Sequence, residues 1–394
     1  MFQKKQGGAM MELTEIKEKI KNFKVEVPSW GFGKSGTRFH AFHIPGEARN
    51  VYEKIDDAAF VNKITDAVSA VAIHIPWDKV EDYKALKEYT EEKGLKIGAV
   101  NPNYFEDEDY LFGSLSNSNL KIRQKAIDQT FECIEIMKQT NSKILSMWIP
   151  DGSNYPGQID FNKSFELLED SLKQITKHLE KDMTMLLEYK FFEPAFYSTL
   201  LFDWGTSYML SKELGEKVKV LVDLGHHPQG TNIEYIVSLL SQKKKLGGFH
   251  FNSRKYADDD LTVGSLNPYE LFLIFVELNK FFDLSAESEN QKISLVLDQS
   301  HNVKPKILAV VQSLNNLQIT YAKSLLVDYE KLKQAQENHD VIEAEETLKE
   351  AYETDVREIL REVRKEKELP EDTIKYVKES DEYWKMVKER ETIY

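Results

Sequence analysis

The chain of 394 residues has 41% hydrophobic and 30% charged residues and a formal net charge of -14, the balance of a water-soluble globular protein. Its acidity argues against nucleic acid as a partner, because phosphate binding needs a basic surface, and no apolar stretch reaches membrane-spanning length, so no membrane partner is expected. A single cysteine, Cys133, excludes an internal disulfide and any multi-cysteine metal site.

The N-terminal MFQKKQGGAMMELTEIK has basic residues but no secretory-type apolar segment, and a cytoplasmic location is expected. Residues 1–12 lack periodicity and read as a flexible arm. MELTEIKEKIKNF then spaces its apolar residues as a short amphipathic helix, and VEVPSWGFGKSGTRF begins as a strand and becomes a glycine-rich loop. From there short apolar runs alternate with longer amphipathic segments. The runs are AVAIHIPW (70–77), KIGAVNPN (96–103), KILSMWIP (143–150), MTMLLEYK (183–190), KVLVDLGHH (219–227), LGGFHFN (246–252) and ISLVLDQSH (293–301), which with the first strand make eight. Such alternation predicts an α/β chain with a parallel sheet, and eight units fit a closed (β/α)8 TIM barrel over residues 13–303. A doubly wound open sheet is also compatible with the alternation; the barrel is favoured because polar residues recur at the C-terminal ends of the runs, where such barrels place active sites. Cys133 falls on the apolar face of one helical segment and reads as a packed thiol. Residues 304–394 change to helix after helix, highly charged and mixed in sign. Their apolar residues, among them Tyr321, Leu325 and Trp384, predict a C-terminal helical extension that makes subunit contacts.

Chemistry-bearing residues cluster at the run ends. In a barrel, Glu188, Asp223, His250 and Asp298, from the fifth to eighth strands, would converge, and Glu188 and Lys190, two apart on a strand, would share a face. YADDDL adds Asp258 and Asp260, and His226 follows the sixth strand. The five carboxylates cannot all stay ionised side by side without compensation. Two divalent ions plus Lys190 would balance them, and oxygen and nitrogen ligands without sulfur suit Mn²⁺, Mg²⁺, Co²⁺ or Zn²⁺. Trp30, His74, Asn101, Asn103, Trp148 and Phe192 fall on the same rim, where aromatic faces beside polar groups suit a sugar or open-chain polyol. GFGKSG (31–36) matches the G-x-G-x-x-G pattern, but the following TRFHAFHIPGEARN has Pro45 and Gly46 and no helical periodicity, so no helix N-terminus is available for a pyrophosphate.

VPSWGFGKSGTRF, HIPWDK, GSNYPGQ, LLEYKFFEPAFY, VLVDLGHH, GGFHFNSRKYADDDL, NPYELFLIF and DQSHN together resemble the L-rhamnose isomerases, in particular their bacterial broad-specificity branch, within the xylose isomerase-like superfamily. The resemblance runs from about residue 20 into the C-terminal helices. It implies a (β/α)8 barrel, two divalent ions per subunit with Mn²⁺ foremost, and reversible conversion of L-rhamnose to L-rhamnulose, with D-allose as a further substrate. It implies a structural ion on Glu188, Asp223, His250 and Asp298, and a catalytic ion on His226, Asp258 and Asp260. Lys190, His74, Trp148 and Trp30 would contact the monosaccharide, and a homotetramer would bring Phe39 toward a neighbour's site. Lys34 and Lys304 depart from the family pattern, leaving the ligands untouched. The expected mechanism is metal-assisted hydride shift from C2 to C1, with Lys190, His226 and Asp298 as the catalytic residues; proton abstraction by Asp298 through an enediol is the rival route. A metal-dependent phosphodiesterase similar to endonuclease IV is the alternative of another class.

Overall fold

A computed structural model describes residues 11–34, 43–193, 197–286, 293–299 and 303–391. Among them eight strands run through the chain: β1 (Val25–Pro28), β2 (Val68–Ile75), β3 (Lys96–Pro102), β4 (Ile144–Trp148), β5 (Thr184–Glu188), β6 (Val218–Asp223), β7 (Leu246–Phe251) and β8 (Ser294–Leu297). All pair in parallel in chain order, and β8 returns to β1 to close a barrel. Parallel neighbours need crossovers, and helices supply them. α1 (Leu13–Asn22) precedes the barrel; α2 (Val51–Thr65), α3 (Tyr83–Glu92), α4 (Leu120–Thr140), α5 (Phe161–His178), α6 (Trp204–Glu213), α7 (Ile233–Gln242) and α8 (Pro268–Asn279) lie between successive strands.

Polar residues decide where each crossover helix starts. Asn50, Asp82, Asn119, Asp160, Asp203 and Asn232 each accept a backbone N–H of the first turn of α2 to α7 through their side chains, the usual role of Asp and Asn at this position. α8 instead begins with Pro268 at its first position, where the missing N–H costs nothing. The loops that lead from β1 to β6 into α2 to α7 are therefore each bounded by a strand end and a fixed cap.

α9 (Lys306–Leu325) packs on α8 and α2 and completes the outer ring with residues that the sequence pattern assigns to the C-terminal extension. After it come α10 (Tyr329–Glu337), α11 (Val341–Glu353), α12 (Arg357–Glu366), α13 (Thr373–Glu379) and α14 (Asp381–Glu391). α12 packs on α1 and α9, and Arg390 of α14 makes a two-pronged ion pair with Asp57 of α2, at 2.7 and 2.8 Å. One continuous apolar core fills the space between strands and helices and buries Cys133. Inside the barrel, Ala72, Ala99 and Val296 pack together beneath Trp30. Gly98 lies so close to Glu26 that a side chain there would strike its carboxylate, which accepts from the Ala99 N–H at 2.9 Å. No described helix is long and apolar enough to cross a membrane.

Candidate functional site

The C-terminal mouth opens into a cavity of about 740 Å³, counting the open space at its entrance. One wall is acidic. Glu188 ends β5, Asp223 ends β6, His250 lies near the end of β7, and Asp298 follows β8. One ligand atom from each lies within 4.8 Å of the others. The imidazole Nδ1 of His250 is 3.2 Å from Glu188 Oε1, 3.2 Å from Asp298 Oδ2 and 3.7 Å from Asp223 Oδ2. Three carboxylates and an imidazole, with no sulfur, fit a divalent cation of the Mn²⁺, Mg²⁺, Co²⁺ or Zn²⁺ type, and this group could hold one.

The glycine of VLVDLGHH explains how Asp223 is aimed. Gly225 donates its N–H to Asp223 Oδ1 at 2.6 Å, and Asn252 Nδ2 donates to both oxygens at 3.0 and 3.2 Å. A Cβ at Gly225 would stand 3.0 Å from Asn252 Oδ1 and 3.1 Å from Asp223 Oδ1, so a side chain there would press on both. His226, next in the turn, reaches Glu188 Oε1 with Nδ1 at 3.1 Å and Asp258 Oδ1 with Nε2 at 3.0 Å. Asp258 and Asp260 both have left-handed backbones, with φ of 57° and 40°, a conformation Asp tolerates better than most residues, and both line the cavity.

Lys190 is buried beside them. Its Nζ donates to Asp258 Oδ2 at 2.5 Å and to Glu193 Oε2 at 3.3 Å, and stands 4.9 Å from the centre of the Trp148 ring. The opposite wall is aromatic: His74 stacks on Trp77 at 4.1 Å and meets the edge of Trp30 at 5.6 Å, while Phe105 leans on Trp148 at 5.0 Å. Trp30 joins the two walls, donating Nε1–H to Asp298 Oδ1 at 2.9 Å.

Crowding governs the protonation of the acidic wall. Burial pushes Asp223 up to about 6, with the charges of Glu188 and Asp298 adding to the rise and the histidines opposing it. Burial, and then the carboxylates of Asp258, Asp298 and Asp223, drive Asp260 well above the ordinary range. Burial would also raise Glu188, but the charge of His250 and hydrogen bonds from both imidazoles outweigh it and hold Glu188 below its usual value. Conversely, burial disfavours the imidazolium of His226 and His250, yet the surrounding carboxylates raise both well above normal. The wall demands positive charge, from protons or from a metal.

Residues 64–284 match the family described as xylose isomerase-like TIM barrel. The chain belongs to that family. A protein of Rhizobium meliloti called a probable sugar isomerase is 46% identical over 362 residues, covering 90% of this chain and 84% of its own. A second protein of that description, from Mesorhizobium japonicum, is 47% identical over 350 residues, covering 88% and 81%. Among solved structures, an L-ribulose 3-epimerase superposes with a TM-score of 0.53 at 11% identity, over 81% of this chain and 97% of its own. A 3-keto-D-glucoside 4-epimerase of E. coli gives 0.51 at 16%, over 68% and 94%. At such identities these structures share the fold.

Within this xylose isomerase-like barrel, the structure brings together most of the residues singled out from sequence. Trp30, His74, Asn101, Trp148, Glu188, Lys190, His226, His250, Asp258, Asp260 and Asp298 all line one cavity, with Asp223 directly behind. Asn103 and Phe192 are corrections: Asn103 turns to Glu106 at 2.8 Å, Phe192 packs on Phe191, and neither lines the cavity. Phe39 lies outside the described residues. Lys304 is engaged away from the cavity, with Thr262 and with Gln312 at 3.0 Å. His227 bonds Tyr189 OH through Nε2 at 2.7 Å, a packing role. Sequence reasoning missed Trp77, Phe105, Glu193 and Asn252. Asn252 carried a usable signal, since positions 248, 250 and 252 of GGFHFN alternate onto one face.

Proposed function

We propose that this protein is a metal-dependent aldose–ketose isomerase that interconverts L-rhamnose and L-rhamnulose and accepts other aldoses such as D-allose. The observation that carries the reading is the two-walled cavity, in which a cluster able to hold a metal faces a wall of aromatic rings with one buried lysine between them. The relatives called probable sugar isomerases, alike over most of the chain, support it. Glu188, Asp223, His250 and Asp298 would hold one ion and His226, Asp258 and Asp260 a second, with Mn²⁺ the expected metal. Bound there, such ions supply Lewis-acid polarisation of a sugar's carbonyl and hydroxyl oxygens.

The chain's own residues do the rest. Trp30, Trp148 and the His74 ring offer flat faces to the C–H faces of the sugar. Lys190, a buried cation held beside the acidic wall, donates to O1 and steadies the negative charge that develops there. We favour hydride transfer from C2 to C1, with the proton that leaves O2 made up by one gained at O1, because the base of the enediol route, Asp298, accepts from Trp30 and would also be a ligand of the ion. A phosphodiesterase reading finds little support: among the described residues the cavity is lined by one lysine and no arginine.

Incubation with L-rhamnose or D-allose should yield ketose with Mn²⁺ and none with EDTA. Absence of ketose from both sugars with Mn²⁺ present would overturn the reading. In deuterated water the product should carry essentially no deuterium at C1; substantial incorporation would shift the assignment to the enediol route. Assembly as a homotetramer belongs to the same proposal and is checked by light scattering.

A further inference from the structure

We infer that Asp78 is a positioning residue for the aromatic wall, fixing Trp30, His74 and Trp77 through one buried carboxylate that does not itself line the cavity. Asp78 is 1% exposed and lies in the HIPWD turn that leaves β2, where its own N–H returns to the His74 carbonyl at 2.8 Å. Its Oδ2 accepts from the His74 backbone N–H at 2.8 Å and from the Ser29 hydroxyl. Its Oδ1 accepts from Lys54 Nζ of α2 at 2.6 Å. Three elements, the ends of β1 and β2 and the helix between them, therefore meet on one side chain. A carboxylate buried without such partners would be strongly unfavourable.

Three rings of the wall are each one residue or less from a group this carboxylate holds. Ser29 precedes Trp30, His74 is held at its own backbone, and Trp77 precedes Asp78. The His74 ring has no hydrogen bond at its buried Nδ1, so its orientation comes from its backbone and from its contacts with Trp77 and Trp30. Trp30 in turn donates to Asp298, which extends the influence of Asp78 to the metal-binding wall. Lys54 neutralises the carboxylate, and the aromatic positions depend on the acceptor oxygen shared by Ser29 and His74.

Removing that acceptor should therefore move the rings, and restoring it without charge should return them. The double variant Asp78→Ala/Lys54→Met takes away the acceptor and keeps the charge balanced; Asp78→Asn/Lys54→Met keeps both an acceptor and the balance. The first arm is spectroscopic and independent of activity. Tryptophan-labelled protein has five indole N–H signals, from Trp30, Trp77, Trp148, Trp204 and Trp384. In the Ala/Met pair those of Trp30 and Trp77 should shift while those of Trp204 and Trp384 stay, and the Asn/Met pair should return them.

The second arm is kinetic and rests on the isomerase reading. With L-rhamnose the Ala/Met pair should raise KM on the order of tenfold, since displacement of a binding group by an ångström is felt strongly, with kcat falling less, and the Asn/Met pair should recover most of it. Ser29→Ala, a milder change at the same oxygen, should shift the Trp30 signal alone and keeps the test open if the Ala/Met pair does not fold. Unmoved Trp30 signals in the Ala/Met pair, or in Ser29→Ala should that pair not fold, would overturn the inference, as would an Asn/Met pair as displaced as Ala/Met. A wild-type protein that turns over neither sugar would sink the isomerase reading, while the indole signals would still decide the role of Asp78.

Discussion

His74 and His226 line the same cavity and titrate in opposite directions, and their partners are the reason. Burial lowers both, but Asp223, Asp258 and Glu188 surround His226 and drive it well above the normal value, whereas burial dominates at His74 and pushes its imidazole down to about 4. A neutral imidazole stacked among indole rings suits contact with a sugar hydroxyl, because it can donate from one nitrogen and accept at the other. Unfolded, the same ring takes its proton near 6.5. Below that pH the unfolded chain binds more protons than the folded one, so the contribution of His74 is complete above 6.5 and is lost as pH falls toward 4, where the loss levels off. In metal-free protein the wild type should lose up to about 3 kcal/mol more unfolding free energy between pH 6.5 and 4 than His74→Gln. Denaturant titrations at intervals across that window check it, and parallel curves for the two proteins would refute the assignment of a neutral, buried His74.

At the scale of elements, the strand ends are legible in the sequence because each is a short apolar run closed by a polar residue, and those of β1 to β6 are followed by a capped helix. The run KIGAVNPN covers 96–103 and β3 spans Lys96–Pro102; LGGFHFN covers 246–252 and β7 spans Leu246–Phe251. Glu188, Asp223, His250 and Asp298 can be chosen on that basis, since a barrel brings consecutive strand ends together whatever the loops do. Loop conformation has no such periodicity. Trp77 and Phe105 enter the cavity from turns, and the left-handed backbones of Asp258 and Asp260 depend on contacts distant in sequence, such as the Asp258 N–H with the Gly225 carbonyl at 3.1 Å.

Loops also pack on loops here. Gly152, after β4, lies against Ser198 and Thr199, after β5, so closely that a Cβ would stand 2.7 Å from Thr199 Cα. Ser153 donates to the Ser198 carbonyl at 2.9 Å, and Thr199 Oγ1 donates to the Lys190 carbonyl, so this backbone contact supports the lysine of the site. Gly152→Ala should therefore lower stability by about 2 kcal/mol or more, because the neighbour that must give way is backbone. Gly205, near the start of α6, has only ordinary contacts around a built Cβ, the nearest at 3.5 Å. Gly205→Ala should be neutral or stabilise by up to about 1 kcal/mol. Thermal unfolding of the two variants checks the contrast, and equal shifts would contradict it.

Across the whole molecule, the acidic cluster draws its four members from β5, β6, β7 and the segment after β8, half of the closed barrel. The mutual repulsion of its three carboxylates opposes closure of that half, and the imidazoles of His226 and His250, whose hold on a proton the surrounding carboxylates raise, offset it. A divalent cation shared by the four would replace repulsion with attraction in the folded state only, since the unfolded chain does not bring the four residues together. Binding to the folded state alone stabilises by mass action, by about 3 kcal/mol at a free metal concentration roughly a hundredfold above Kd. Thermal unfolding should therefore move upward with Mn²⁺ and downward after EDTA, and the increment should grow with metal concentration in place of reaching a fixed offset. Asp298→Asn, which keeps the shape of the side chain and removes a ligand charge, should leave the EDTA-treated protein folded and shrink the Mn²⁺ increment. The acidic wall relaxes when one carboxylate is neutralised, so the metal-free variant should be at least as stable as the metal-free wild type. An Mn²⁺ increment unchanged by Asp298→Asn would show that the ion stabilises the barrel from somewhere other than this cluster.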